Sequence, residues 1–552
     1  MIFALCLIPL VVLMGGAIDF SRQRSGEGLA QDAVDAALLA IAGTAQDKTD
    51  AQLTQEALVW FQNHMQDLNL DIDDFQVVKV GDELTATMNG HVDTAFLGLV
   101  GITELGVNRT ASVRIGLTAV ELVMVLDTTG SMQETPSGQS MTKLESMQDA
   151  ALGMVDLLSE LDNGRGNIEI GLVPFATYVN VGEENIEANW IDTGADSPMH
   201  ADNLAEGLNR FDLYEHLGFE WKGCVMARPA PHDVRDTRPR PGRPETLFVP
   251  LFHPDETDSR YRRFEEYPNN YVDDADSIGS DLLNISNPIK YGVPDNILAY
   301  MDGISSGLLD DDDDDDDCED GDDENDGEGQ ECSDGWAGSP LNPDNWEAVS
   351  VNRNYNYYSN ANSQIGPGFL CDISPVLPLT SHFQTVRNNI RSLAAQGSTN
   401  IPQGVVWGWH VLSPSAPFRE GDTYSHSVQK VMILLSDGNN SIAARPAHPG
   451  GSDFSAYGYM ENRRLEGLPT TYDSQDIMET MDERTLLACQ NAKDAGVRIF
   501  TIRVSLEDEN SEELLRSCAS SPEDYIDVPD SDLLDEAFRD ITDRISQLYL
   551  SR

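Results

Sequence analysis

A chain of 552 residues exceeds what one ordinary hydrophobic core organises, so two or three domains are expected. Its 94 acidic and 35 basic residues leave a formal charge of −59, which excludes nucleic acid as a partner because phosphates would be repelled. Cations and basic surfaces are attracted instead, although a generally acidic, solvated surface is the plainer account of so much charge.

The chain opens on the uncharged run IFALCLIPLVVLMGGAI, Ile2 to Ile18, at the lower limit for a spanning helix and with Pro9 inside it. A cleaved signal peptide is the rival, with Gly15-Gly16-Ala17 as a processing site. Retention as an anchor over 1–24 is expected, because no basic segment leads the run and an amphipathic helix follows without a break. Arg22 and Arg24 would pull the downstream side inward unless a basic arm precedes Met1. Next come a helix over about 26–46 and another over 50–69, with Leu53, Leu58, Phe61 and Met65 near helical spacing. Alternating strands around 75–80, 83–92 and 110–115 complete a small α+β region, 25–118.

From 119 to 552 buried strands alternate with helices. Val120–Leu126 (VELVMVL) reads as a strand buried on both faces, followed by a helix over 143–161 and a strand over 168–175. The pattern resumes at the segment Ile373–Leu379, with helices over 381–395 and 402–412 and a strand over 428–435. It ends with a helix over 481–494, a strand over 497–504 and a helix over 532–549. This is an α/β, Rossmann-like, doubly wound sheet. The large insert 177–372 shows little periodicity. It holds a Pro/Arg-rich tract with Arg228, Arg235, Arg238, Arg240 and Arg243, and an acidic loop, 310–334, with 17 acidic and no basic residues. That loop has nothing to bury and is expected to act, if at all, on ions or basic partners such as these arginines.

Six cysteines lie outside the apolar run, an even set that suits an oxidising compartment. Cys318–Cys332 would close one insert, Cys489–Cys518 would flank a strand, and Cys224–Cys371 remains. The histidines, among them His200, His216, His232, His253, His410 and His426, lack metal-ligand spacing, and Trp407 and Trp409 read as packing residues. Asp322, Glu324 and Asp326 lack the twelfth-position acid of a calcium loop.

The first buried strand ends in DTTGSM. Ligands in open α/β sheets bind beyond the carboxyl ends of strands, so Asp127, Thr129 and Ser131 stand in the right place. GSTN puts Thr399 before a helix, and LSDG puts Asp437 after another strand. One or two carboxylates among hydroxyls form a hard-oxygen set suited to Mg²⁺, or to Mn²⁺ or Ca²⁺.

In that order the three strings resemble the metal-ion-dependent adhesion site (MIDAS) of the von Willebrand factor A (VWA) family, over about 120–176 and 373–550. The resemblance implies a VWA domain in which Thr129, Ser131 and Thr399 are direct hydroxyl ligands and Asp127 and Asp437 act directly or through water. Thr129 departs from the more usual serine but keeps the hydroxyl. It also implies an open metal position that an acidic side chain of a protein partner fills. IDFSRQ and LAQDAVDAALLA resemble the N-terminal region of TadE/TadG-like proteins of Flp (Tad) pilus assembly. This implies a single-pass protein of the bacterial inner membrane, its bulk in the periplasm or outside the cell, binding a pilus or envelope component. No enzymatic role is expected. The alternatives are a metal-dependent hydrolase using the same crevice, for which no base or nucleophile is evident, and a structural envelope protein stapled by its metal.

Overall fold

A computed structural model gives the structure of the chain. It describes residues 2–42, 45, 48–65, 70–80, 83–114, 119–204, 207–256, 269–272, 288–291, 351, 365–425, 428–505 and 508–550, with side chains omitted at 2–13, 114, 288–289 and 547–550. The acidic loop 310–334, the calcium-loop string and Cys318 and Cys332 lie outside the described residues. Two compact units are resolved: Met1–Val120 with Ser425–Gln429 and Asp543–Arg552, and Glu121–Tyr424 with Lys430–Thr542.

In the first unit the apolar run and the helix after it form one helix, α1 (Ile2–Ala42). Its Ala30, Ala33, Val34, Ala37, Leu38 and Ile41 recur at helical spacing and are buried. Helix α2 (Asp50–His64) starts at a capping box in which Thr49 and Gln52 satisfy each other's backbone N–H groups. Strands β1 (Asp71–Val80), β2 (Glu83–Asp93) and β3 (Glu104–Arg114) form an antiparallel meander. Leu84, Ala86 and Met88 alternate on the buried face of β2, and Phe61 of α2 meets Phe75 of β1 at 5.2 Å between ring centres. Among the described residues no helix is long and apolar enough to cross a membrane. The expected anchor, Ile2–Ile18, falls mostly on 2–13, where side chains are not described.

The second unit is a mixed α/β structure. Its elements are β4 (Ala119–Asp127), α3 (Lys143–Asp162), β5 (Ile168–Phe175), β6 (Val179–Asn180), α4 (Arg210–His216), β7 (Cys224–Val225), β8 (Leu377–Thr380), α5 (Phe383–Arg391) and α6 (Ile401–Leu412). These are followed by β9 (Val428–Ser436), α7 (Ser474–Asp494), β10 (Arg498–Val504), α8 (Glu509–Cys518), β11 (Tyr525–Val528) and α9 (Leu534–Leu550). The six-stranded sheet has the order β11-β10-β9-β4-β5-β8. Strand β10 runs parallel to β9 and β11, and β8 closes the other edge antiparallel to β5. The sheet is parallel-rich, with one edge reversed. Cys224–Cys371 and Cys489–Cys518 are both bonded, with Cα separations of 5.9 and 5.3 Å.

Every residue of α6 is buried. Two glycines one turn apart allow this. A Cβ on Gly404 would meet the Phe175 ring at 2.8 Å, and one on Gly408 would meet Val125 at 2.5 Å. Their absence lets α6 lie directly on β4 and β5. Over its other side lies the described part of the insert, irregular in its backbone but packed into the core. Trp190, Leu213, Tyr214, Trp221, Phe248 and Phe252 are core residues, and Phe248 stacks on Trp407 at 4.6 Å. Arg228 is no surface cation either. It is buried, and its guanidinium donates to the carbonyls of His232, Arg235, Thr237 and Thr246.

Candidate metal centre

Strand β4 is buried along its length and delivers Asp127 beyond its last apolar residue, fully buried. One carboxylate oxygen of Asp127 accepts the Thr129 N–H at 2.9 Å, the other the Ser436 hydroxyl at 2.6 Å. The turn after it puts Thr129 Oγ1 and Ser131 Oγ 3.0 Å apart, and Ser131 Oγ donates to Asp437 Oδ1 at 2.7 Å. Residues 306 apart in sequence therefore share one spot, because β4 and β9 are neighbours in the sheet.

The third loop is tied in through its backbone. Gly130 N–H donates to Gly397 O at 3.0 Å, and Gln396 N–H to Thr128 O at 2.8 Å. Gly397 sits at φ +72°, and a Cβ there would stand 2.5 Å from Thr177 Oγ1, so glycine is required. Thr177 Oγ1 in turn accepts the Ser398 N–H at 2.8 Å. Thr399 is buried, its carbonyl accepts the Ser441 N–H at 3.0 Å, and its hydroxyl lies 3.5 Å from where a Gly438 Cβ would stand. Asp127, Thr129, Ser131 and Asp437 thus meet through direct side-chain and backbone bonds, and Thr399 adjoins the Asp437 loop.

The electrostatics suit a cation. Burial first, and then the Asp437 carboxylate, push the Asp127 carboxyl up to about 7, against the hydrogen bonds from Ser436 and Thr129. Asn400, next to Thr399, has a buried Oδ1 without a partner among the described residues. Two buried carboxylates and three hydroxyls are a hard-oxygen set, and the residues fit Mg²⁺ or Mn²⁺.

Residues unnoticed in the sequence complete the site. Lys143 Nζ lies 2.8 Å from Asp437 Oδ2 and 3.1 Å from Glu134 Oε2, inside the protein. It is fixed by the capping box of Thr142 and Glu145 that starts α3. Burial lowers its ammonium, and the hydrogen bonds and charges of Asp437 and Glu134 together outweigh that, holding it above the usual lysine value. Asn440 accepts the Ile401 N–H at 2.9 Å and donates to Asp482 Oδ1 at 2.8 Å, joining the Asp437 loop to the start of α6 and to α7. Thr177 and Asn440 follow strand ends, the one signal that would have drawn notice to them.

The described histidines of the insert and α6 are packed and bonded. His200 meets Asp192 at 2.8 Å and His410 meets Asp236 at 2.8 Å. Trp407 and Trp409 are packing residues. In the first unit, ligand atoms of Asp71, His91 and Asp93 lie within 4.8 Å of one another at the exposed end of the meander, a group that sequence spacing did not single out.

Residues 1–46 match the family model described as putative Flp pilus-assembly TadE/G-like. The N-terminal segment is TadE/G-like. Among solved structures, the chain is similar to the pilus adhesin SpaC from Lactobacillus rhamnosus GG (open conformation), at 10% identity and TM-score 0.30, covering 88% of this chain and 34% of that one. It is similar to the PilB minor pilin from Streptococcus sanguinis at 12% identity and TM-score 0.33, covering 87% and 79%. It is also similar to the vWF domain of the type V pili tip protein Mfa5 from Porphyromonas gingivalis, at 9% identity and TM-score 0.30, covering 78% and 95%. The chain spans about a third of the length of the SpaC structures. No curated protein matches it.

Proposed function

We propose that this chain is a bacterial envelope protein, anchored by α1 with its bulk outside the cytoplasm, that binds an acidic partner in pilus assembly or surface adhesion. Binding rests on a divalent cation, Mg²⁺ or a similar hard ion, held by Asp127, Thr129, Ser131, Thr399 and Asp437. The observation that carries the reading is the meeting of strand-end loops at which Ser131 Oγ bonds Asp437 Oδ1 and Asp127 lies buried nearby, its carboxyl pushed up by burial and by the Asp437 charge. The TadE/G-like segment supports the pilus setting, and the two disulfides support an oxidising compartment.

When bound, such a cation supplies an electrophilic position that a carboxylate oxygen of a partner can fill. The chain's residues do the rest. The hydroxyls contribute oxygens without added charge, the buried aspartates fix the place, and Lys143 takes up part of the Asp437 charge. Lys143 and Glu134, the titratable neighbours named above, are engaged with each other, which favours binding over turnover.

The test is calorimetric titration of the full chain with Mg²⁺ and Mn²⁺, then capture of partners from envelope extracts with and without chelator. Saturable binding that Asp437→Ala abolishes, and capture that chelator abolishes, are expected. Capture indifferent to both would overturn the reading.

A further inference from the structure

The loop joining β2 to β3, residues 95–103, reads AFLGLVGIT and carries no charge between Asp93 and Glu104. Leu99, Val100 and Ile102 are 68%, 52% and 47% exposed, a share that large apolar side chains in water seldom show side by side. The loop is a built structure. Leu97–Val100 form a 3-10 turn, Ile102 N–H returns to Leu97 O at 3.2 Å, and Thr94 N–H and hydroxyl bond the Thr103 carbonyl.

Its position is fixed by α1. Asp19 is buried, and its carboxylate accepts the N–H groups of Ala95, Phe96 and Leu97 at 2.9–3.0 Å. The Phe96 side chain occupies the space a Cβ on Gly15 would need, and Leu97 lies 3.2 Å from that of Gly16. The loop therefore lies alongside the last turn of the uncharged run Ile2–Ile18, roughly one 5.4 Å pitch of helix, and not beyond it. On the same stretch of α1, Met14, Ile18 and Phe20 are exposed, and the next exposed side chains include Arg22 and Arg24.

We propose that this loop is a second membrane contact, with Leu99, Val100 and Ile102 inserted into the apolar margin of a phospholipid bilayer beside α1. The proposal rests on the anchor reading above. Apolar side chains at the level of the anchor's end gain from leaving water, and the two arginines below them suit the phosphate layer. Asp19 is the positioning residue. By neutralising three backbone donors at the loop's start, it lets the loop approach lipid without bringing bare N–H groups.

The test uses the full chain in phosphatidylcholine–phosphatidylglycerol vesicles, with a diazirine amino acid at Leu10, Leu99 or Val78, the last an exposed apolar position on β1. Lipid adducts at Leu10 and Leu99 and none at Val78 are expected, with the Leu99 adduct lost in Asp19→Ala while that at Leu10 persists. Adducts at Leu10 alone would overturn the loop proposal and leave the anchor standing. Adducts at Leu99 alone would overturn the anchor and, with it, a contact made beside α1. Adducts at neither would overturn both, and equal yields at Val78 and Leu99 would overturn a specific contact.

Discussion

In metal-free solution above pH 7, Asp127→Asn is expected to be more stable than the parent protein, although it removes a proposed metal ligand. Asp127 is fully buried beside Asp437, and its carboxyl is pushed up from 3.8 to about 7. Between those values the folded chain holds a proton that the unfolded chain has released, so stability falls as pH rises through this window. Over about three units the loss is on the order of 4 kcal/mol. Asn cannot ionise and avoids it. Asn also keeps an acceptor for the Thr129 N–H and presents a donor that the Ser436 hydroxyl can accept, at a cost of about 1 kcal/mol. The advantage left at pH 8 is roughly 3 kcal/mol, and by pH 4 it is gone. Mg²⁺ at about a hundred times its Kd stabilises the parent by roughly 2.7 kcal/mol and the variant not at all, so the gap nearly closes. Thermal melts at pH 4 and pH 8, in chelator and in Mg²⁺, measure all four corners. A variant that melts below the parent in chelator at pH 8, or that Mg²⁺ stabilises as much as the parent, would refute the reasoning.

Lys143→Met should raise Mg²⁺ affinity on the order of tenfold, because the ammonium on Asp437 Oδ2 competes for the same charge; calorimetry showing equal or weaker binding would count against a shared site. Arg484→Ala should cost about 3–5 kcal/mol in denaturant unfolding, since it strands Asp233, the buried insert residue that Arg484 of α7 pairs with; a loss under about 1 kcal/mol would show that pair to be dispensable. Deleting 310–334 should leave the melting transition and the Mg²⁺ affinity unchanged, and a chain that fails to fold without it even in high salt would make that segment structural.

Two kinds of pattern were legible in the sequence. The apolar runs of β4 and β9 are buried on both faces and end in polar turns, so the strands and the residues just past them could be read together. Thr399 was legible because Pro402 marks a helix start after a glycine turn. Lys143 was not, since its partner Asp437 lies 294 residues away and a lysine opening an amphipathic helix looks like any solvated charge. The edge strand β8 overlaps the segment Ile373–Leu379 where the pattern resumed, whereas β11, of four residues, leaves too little periodicity to read.

The insert's lack of period was legible but its burial was not, for a physical reason that bears on the site. Aromatics spaced by turns show no period, and arginines among prolines look like surface cations; in the fold the former are core and Arg228 satisfies four backbone carbonyls that loops leave open. A decorative insert would leave one side of α6 wet. All twelve residues of α6 are buried, with Gly404 and Gly408 against the sheet and Trp407 and His410 under Phe248 and Arg228. Thr399 stands two residues before that helix, so the height of α6 on the sheet sets where the hydroxyl lies relative to Asp437. Trimming Phe248 to Ala should therefore weaken Mg²⁺ binding as well as cost about 3–5 kcal/mol of stability, although it touches no ligand. Calorimetry of that variant below its melting transition tests the coupling, and unchanged affinity would show the loop after Gln396 to hold its place by the bonds of Thr177 and Asn440 alone.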